Sequence, residues 1–152
     1  MIHIKQTQRK ISFCTTPYFK KAQKILRHLG YIDFDLGILL TTDATIRKYN
    51  KQYRQKDKAT DVLSFPYHHD IQAGEKIIPA SDDDKNLGDI IISVSYVYHN
   101  KHNLDGDFHQ RMDRMLVHGI CHLLGYDHID DDEYKQMLTL ENELLQLISS
   151  IS

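Results

Sequence analysis

The chain has 152 residues, 41% of them hydrophobic, with 19 Lys and Arg against 21 Asp and Glu. That balance suits one domain with its own core over residues 1–152, and it excludes a polar disordered tail or a protein drawn to polyanions by net charge alone. No run approaches the roughly eighteen apolar residues of a membrane span, and residues 1–12 mix charged and amide side chains where a secretory leader needs an apolar stretch, so neither is expected.

Cys14 and Cys121 give no disulfide framework, which makes a reducing cytoplasm the expected compartment. Charge is unevenly spread: thirteen Lys and Arg face four Asp up to Lys58, and six face seventeen acids after it. Such asymmetry fits a basic face for a polyanion, or simply two solvated faces of one domain.

Residues 1–5 alternate apolar and polar side chains, as a half-buried strand does. Thr16 and Pro17 are expected to open a helix in which Phe19, Ala22, Ile25, Leu26 and Leu29 form the inner stripe and Gly30 the stop. Lys20, Lys21, Lys24 and Arg27 would then lie on its solvated face, with a phosphate backbone as the alternative contact. Residues 34–41 are a short apolar run that predicts a buried strand, after which Thr42 or Asp43 can cap a second helix.

In that second helix Ile46, Tyr49 and Tyr53 follow the inward period. Around them lie Arg47, Lys48, Lys51, Arg54, Lys56 and Lys58, a concentration of cations suited to phosphates; the tyrosines pack inward on their spacing, or stack on bases if exposed. Residues 60–65 predict a third strand ended by Pro66. An aperiodic segment follows, carrying Gly74, Pro79 and three aspartates at 82–84, and it suits a functional loop. His68 and His69 fall there and are read as ordinary surface histidines, not extra metal or substrate contacts. Residues 87–93 return to strand character, with Gly88 marking a bulge or a close backbone approach. Ser93 or Ser95 can cap a short helix through His99 and His102, both expected to face solvent.

From Asp107 a longer helix is expected, with Phe108, Met112, Met115, Leu116 and Leu123 as its buried stripe. It runs into residues 118–128, which read His-Gly-Ile-Cys-His-Leu-Leu-Gly-Tyr-Asp-His. His118 and His122 are four apart, so on a helix they leave the same face and reach one ion. With ten histidines in the chain, chance supplies about 0.6 such pairs, and a third histidine at the position of His128 lowers that to about 0.04. Gly125 stands where a left-handed residue can end the helix and return His128 to the ion.

This spacing matches the zincin pattern His-Glu-x-x-His-x-x-Gly-x-x-His except at Gly119, which replaces the glutamate that serves metalloproteases as general base. Three neutral imidazoles suit zinc and leave a fourth position free, as catalytic sites do. Cys121 is the side chain that would close a structural site, but it sits about 60° off the histidine face and is expected to pack as a small core residue. Asp130 and Glu133 then form a capping-box arrangement for a last helix with Tyr134, Met137, Leu138, Leu144, Leu145 and Ile148 as apolar positions. Its acidic first turn lacks the ligand spacing and glycine of a calcium loop. The order strand, helix, strand, helix, strand, strand and three helices predicts an α+β domain, a small mixed sheet of about four strands with helices packed on it.

Three blocks, residues 50–66 (ending Thr-Asp-Val-Leu-Ser-Phe-Pro), 87–93 and 118–128, together resemble the YbeY endoribonucleases, bacterial rRNA maturation factors. The resemblance covers nearly the whole chain and departs at Cys121, where the family usually has leucine. It implies a zinc-dependent, single-strand-specific endoribonuclease acting in 16S rRNA 3′-end maturation and ribosome quality control, with ribosomal RNA and the ribosome as partners and neither DNA nor membrane. It also implies that His118, His122 and His128 are the metal ligands, with one zinc per chain, and that Arg54 is the catalytic arginine. The general base stays unassigned, with Asp127 a candidate for it or for a contact at the helix end. Two other readings are a zincin-like metallopeptidase, which Gly119 opposes, and a non-catalytic RNA- or ribosome-binding module with structural zinc.

Overall fold

The computed structural model describes residues 1–99 and 106–152; His102 lies outside them. Four strands, β1 (Ile2–Gln6), β2 (Asp35–Thr41), β3 (Val62–Pro66) and β4 (Asn86–Ser93), form one sheet in the order β1-β2-β4-β3. β1 and β4 flank β2 in parallel, and β3 pairs antiparallel to β4 at the edge. An edge is where Pro66 does least harm, since its missing donor costs the ladder little. The helices are α1 (Thr15–Leu29), α2 (Asp43–Arg54), α3 (Val94–His99), α4 (Phe108–Leu123) and α5 (Asp131–Ile148). This is the α+β architecture expected from the alternation of periods.

Strand alternation sends Ile2, Leu36, Ile38, Leu40, Ile90 and Ile92 to one face, where α1 and α4 lie on the sheet and α5 packs on both helices to complete the main core. The other face carries Leu63 and Ile91 under Ile46 of α2, a much smaller cluster. Gly88, at a φ of 115°, supplies the predicted close approach: a side chain there would collide with the Phe65 carbonyl, and the β2–β4 register shifts beside it.

Several local expectations change. Helix α1 starts two residues earlier than the Thr16 cap implies, with Cys14 at the N-cap and no side-chain cap. Tyr18, not Phe19, enters the core, because its hydroxyl donates to the Met112 carbonyl at 2.7 Å and so removes the cost of burying it; Phe19 faces outward. Lys21 is buried rather than solvated, 2.9 Å from Asp113 on α4. In α2 the inner positions are Ile46 and Asn50, while Tyr53 is exposed. Asn50 is drawn inward by a polar task, donating to the Lys58 carbonyl and so holding the turn after α2. In α5, Tyr134 and Leu138 face outward, and only half of the capping box forms, with Asp130 accepting from the Glu133 amide at 2.8 Å.

Helix α4 is anchored at its start. Asp107 and Gln110 make a reciprocal capping box, and buried Arg111 donates to the carbonyls of Val97, Tyr98 and Gly106. The histidines downstream therefore ride on a helix whose position is already determined.

Candidate metal centre

His118 and His122 leave α4 one turn apart, with ring centroids 4.5 Å from each other. The helix closes in a Schellman motif: Tyr126 donates to the Cys121 carbonyl and Gly125 to that of His122, both at 3.1 Å. Gly125 has a φ of 88°, and a side chain there would strike the Ile71 carbonyl of the long loop. Two constraints therefore demand glycine, one local and one from across the fold. The reversal brings His128 within 5.9 Å and 5.3 Å of the other two rings. One nitrogen from each of the three histidines lies within 4.8 Å of the others.

These residues fit a metal ion. The Nε2 atoms of His118 and His122 are 3.0 Å apart, close to the roughly 3.3 Å between tetrahedral nitrogen ligands of zinc. Behind His118, Nδ1 lies 2.9 Å from Oε2 of Glu141 on α5, which makes Nδ1 the protonated nitrogen and leaves Nε2 with a free lone pair toward the cleft. Burial, then the neighbouring His118, push His122 down to about 4, so its imidazole is neutral at physiological pH. Glu141 escaped the sequence reading, because nothing in the pattern of α5 shows which of its acids meets His118. An acid on its inward side beside Leu144 was the only available signal.

Cys121 is fully buried in the core, and burial raises its thiol far above the ordinary range, so it stays a neutral packing residue. Gly119 faces the sheet: a Cβ there would stand 2.8 Å from Cδ1 and 2.9 Å from Cγ2 of Ile90. The position that holds the protease glutamate is thus filled by the core.

The three histidines open into a cleft of about 740 Å³ whose other walls are β3, the end of α2 and the long loop. Arg54 lines it from the last residue of α2, where Gln55 adopts a left-handed φ of 58° and turns the chain. Among the described residues no carboxylate pairs with Arg54, whereas Asp57 takes up Arg47 at 2.8 Å and Lys51 at 4.0 Å. Asp127 lines the cleft with one carboxylate oxygen accepting from the His128 amide at 2.8 Å. His68 is a structural residue, its Nε2 lying 2.8 Å from the Asp84 carbonyl. His69, set aside on sequence grounds, also lines the cleft, although it does not join the metal cluster.

Fold and site together define a class: an α+β domain with a cleft in which three histidines could hold a metal ion, beside a basic helix end. The family described as Endoribonuclease YbeY matches residues 2–149. A human protein named Endoribonuclease YbeY is 39% identical over 143 residues, covering 93% of this chain and 84% of its own. One from Persephonella marina is 39% identical over 138 residues, with 90% and 85% covered. The chain belongs to the YbeY endoribonuclease family. A Thermotoga maritima protein solved in solution shares the fold, with a TM-score of 0.63 and 24% identity over 97% of this chain and 89% of that one. No helix among the described residues is long and apolar enough to cross a membrane.

Proposed function

We propose that this protein is a zinc-dependent, single-strand-specific endoribonuclease of the cytoplasm, acting in 16S rRNA 3′-end maturation and ribosome quality control. The observation that carries the reading is the convergence of three imidazoles and Arg54 in one open cleft, in a chain whose relatives bear the name endoribonuclease. His118, His122 and His128 hold one zinc per chain, the ion that three neutral imidazoles suit. Bound there, zinc supplies Lewis acidity and activates water near neutral pH.

The chain's own groups do the rest. Glu141 keeps the His118 tautomer that presents Nε2 to the cleft. Arg54 grips two oxygens of the scissile phosphate with its planar fork and stabilises the charge that builds there. Asp127, tied through one oxygen to the His128 amide, offers its second oxygen as proton acceptor. Single strands suit the site because the scissile phosphate must enter a concave cleft.

Zinc analysis of the purified protein is the first test, followed by cleavage of single-stranded RNA, its duplex, single-stranded DNA and casein, each with and without chelator. Chelator-sensitive cutting of the single-stranded RNA alone is expected. Casein hydrolysis, or RNA binding without cutting, would overturn it in favour of the peptidase or the binding module.

A further inference from the structure

The face of the sheet opposite the main core is only partly covered. Two rows of residues cross its four strands in register: Lys5, Leu39, Ile91 and Leu63, and beside them His3, Gly37, Asp89 and Phe65. Helix α2 lies over the β3 end of these rows, where Ile46 meets Leu63 and Ile91. Toward β1 the face is open, and a groove of about 640 Å³ runs along it. Tyr53 and Phe65 line both this groove and the histidine cleft, so the two adjoin across these rings.

We infer that this groove is a base-stacking subsite of the nuclease, in which the strand leaving the metal cleft lays its bases over Tyr53 and Phe65 and its backbone against Lys5. The inference rests on the endoribonuclease reading and extends it to the path of the substrate. Tyr53 is 55% exposed, so its ring is reachable from solvent where the groove meets the cleft. It is held edge-on to Phe65 at 5.1 Å and nearly parallel to Tyr49, with 12° between the planes at 6.2 Å. The ring is therefore oriented by its neighbours while one side stays open. Base–aromatic stacking of this kind is tolerant of sequence, because every base has a π-face.

Charge is arranged for a strand lying bases-down. Arg54 lines the cleft end and exposed Lys5 the far end, so phosphates meet a cation at each end. Between them the floor is apolar apart from Asp89, whose carboxylate occupies the space left by the missing side chain of Gly37. A carboxylate there repels a phosphate but accepts hydrogen bonds from the exocyclic amino group of a base. Duplex RNA, with its bases already stacked inside, has nothing to offer such a floor.

The test uses the zinc-loaded full chain and a labelled single-stranded RNA of about ten nucleotides, long enough to leave the cleft. Half-saturating concentration is read for the parent and for Tyr53→Ala, Tyr53→Phe and Lys5→Glu, and flash cross-linking of 4-thiouridine RNA maps the path. Expected are a loss of about 10-fold in affinity for Tyr53→Ala, near-parental binding for Tyr53→Phe, a loss of about 5-fold for Lys5→Glu, and cross-links reaching β1. Melting curves of the variants, whose altered side chains are exposed, check that the fold is kept. If the parent binds RNA while both Tyr53→Ala and Lys5→Glu bind equally well, or cross-links stay confined to the histidine cleft, the subsite is wrong and the nuclease reading survives. A parent that neither binds nor cuts RNA takes both down together.

Discussion

Nδ1 of His118 stands 2.9 Å from Oε2 of Glu141, so α5 holds the first imidazole of the cluster from behind. A carboxylate in this position orients the ring and raises its basicity toward a metal, and removing such a partner typically costs 10- to 100-fold in affinity. Glu141→Gln should therefore weaken zinc binding by roughly 10-fold or more while leaving α5 in place, as measured by competition with a chromophoric chelator. Parental affinity in that variant would reduce Glu141 to a bystander.

Removing a ligand should have a larger effect. The purified protein is expected to carry close to one zinc per chain, and His122→Ala almost none, because two imidazoles cannot hold the ion against solvent and buffer. Metal analysis after gel filtration decides the matter: undiminished zinc in the variant would mean that the ion sits elsewhere.

Arg54 is expected to act on the reaction and its lysine neighbours on binding. Arg54→Ala should keep fold and zinc but lose RNA cleavage by about 10² or more, comparable to deleting one oxyanion-type donor. Lysine there should rescue little, since it lacks the fork that spans two phosphate oxygens. Lys56→Ala should mainly weaken RNA binding and flatten its salt dependence. The same is expected of Lys51→Ala, to a smaller extent, because Asp57 already lies 4.0 Å from that lysine. Single-turnover rates at saturating RNA separate these roles, and a parental rate for Arg54→Ala would make it one more binding cation.

Restoring the protease signature should damage the protein without making a protease. Gly119→Glu forces a side chain into Ile90, 2.8 Å from where its Cβ would lie, and drives a carboxylate toward the core. A loss of about 2 kcal/mol or more and no casein hydrolysis are expected, checked by urea unfolding and a peptidase assay. A stable variant that cuts casein would overturn this reading of the helix face.

Metal-free protein should lose stability on acidification. In the unfolded chain His122 takes up its proton near the ordinary value of 6.5, and in the folded chain only near 4. Between those values the unfolded state binds more protons, so the contribution of a neutral His122 is fully present above 6.5 and disappears as pH falls toward 4. Urea midpoints of chelated protein across this window should fall with pH, and His122→Ala should flatten the slope. An unchanged slope would assign the acid sensitivity to other groups.

What was legible in the sequence was local. The spacing of His118 and His122 is a property of one helix, the turn at Gly125 is chosen by backbone sterics, and strand and helix periods report which face of each element is apolar. Those signals carry the α+β order and the three-histidine cluster. They cannot register contacts between elements distant along the chain. Only the packing of α5 on α4 selects Glu141 for His118, only the crossing of α1 and α4 buries Lys21 beside Asp113 and gives the Tyr18 hydroxyl its carbonyl, and only the seating of α4 on β4 shows that Gly119 faces Ile90. Tyr53 makes the same point on the surface. Its period says inward, but α2 covers only part of the sheet, so the inward direction at that end of the helix opens onto solvent.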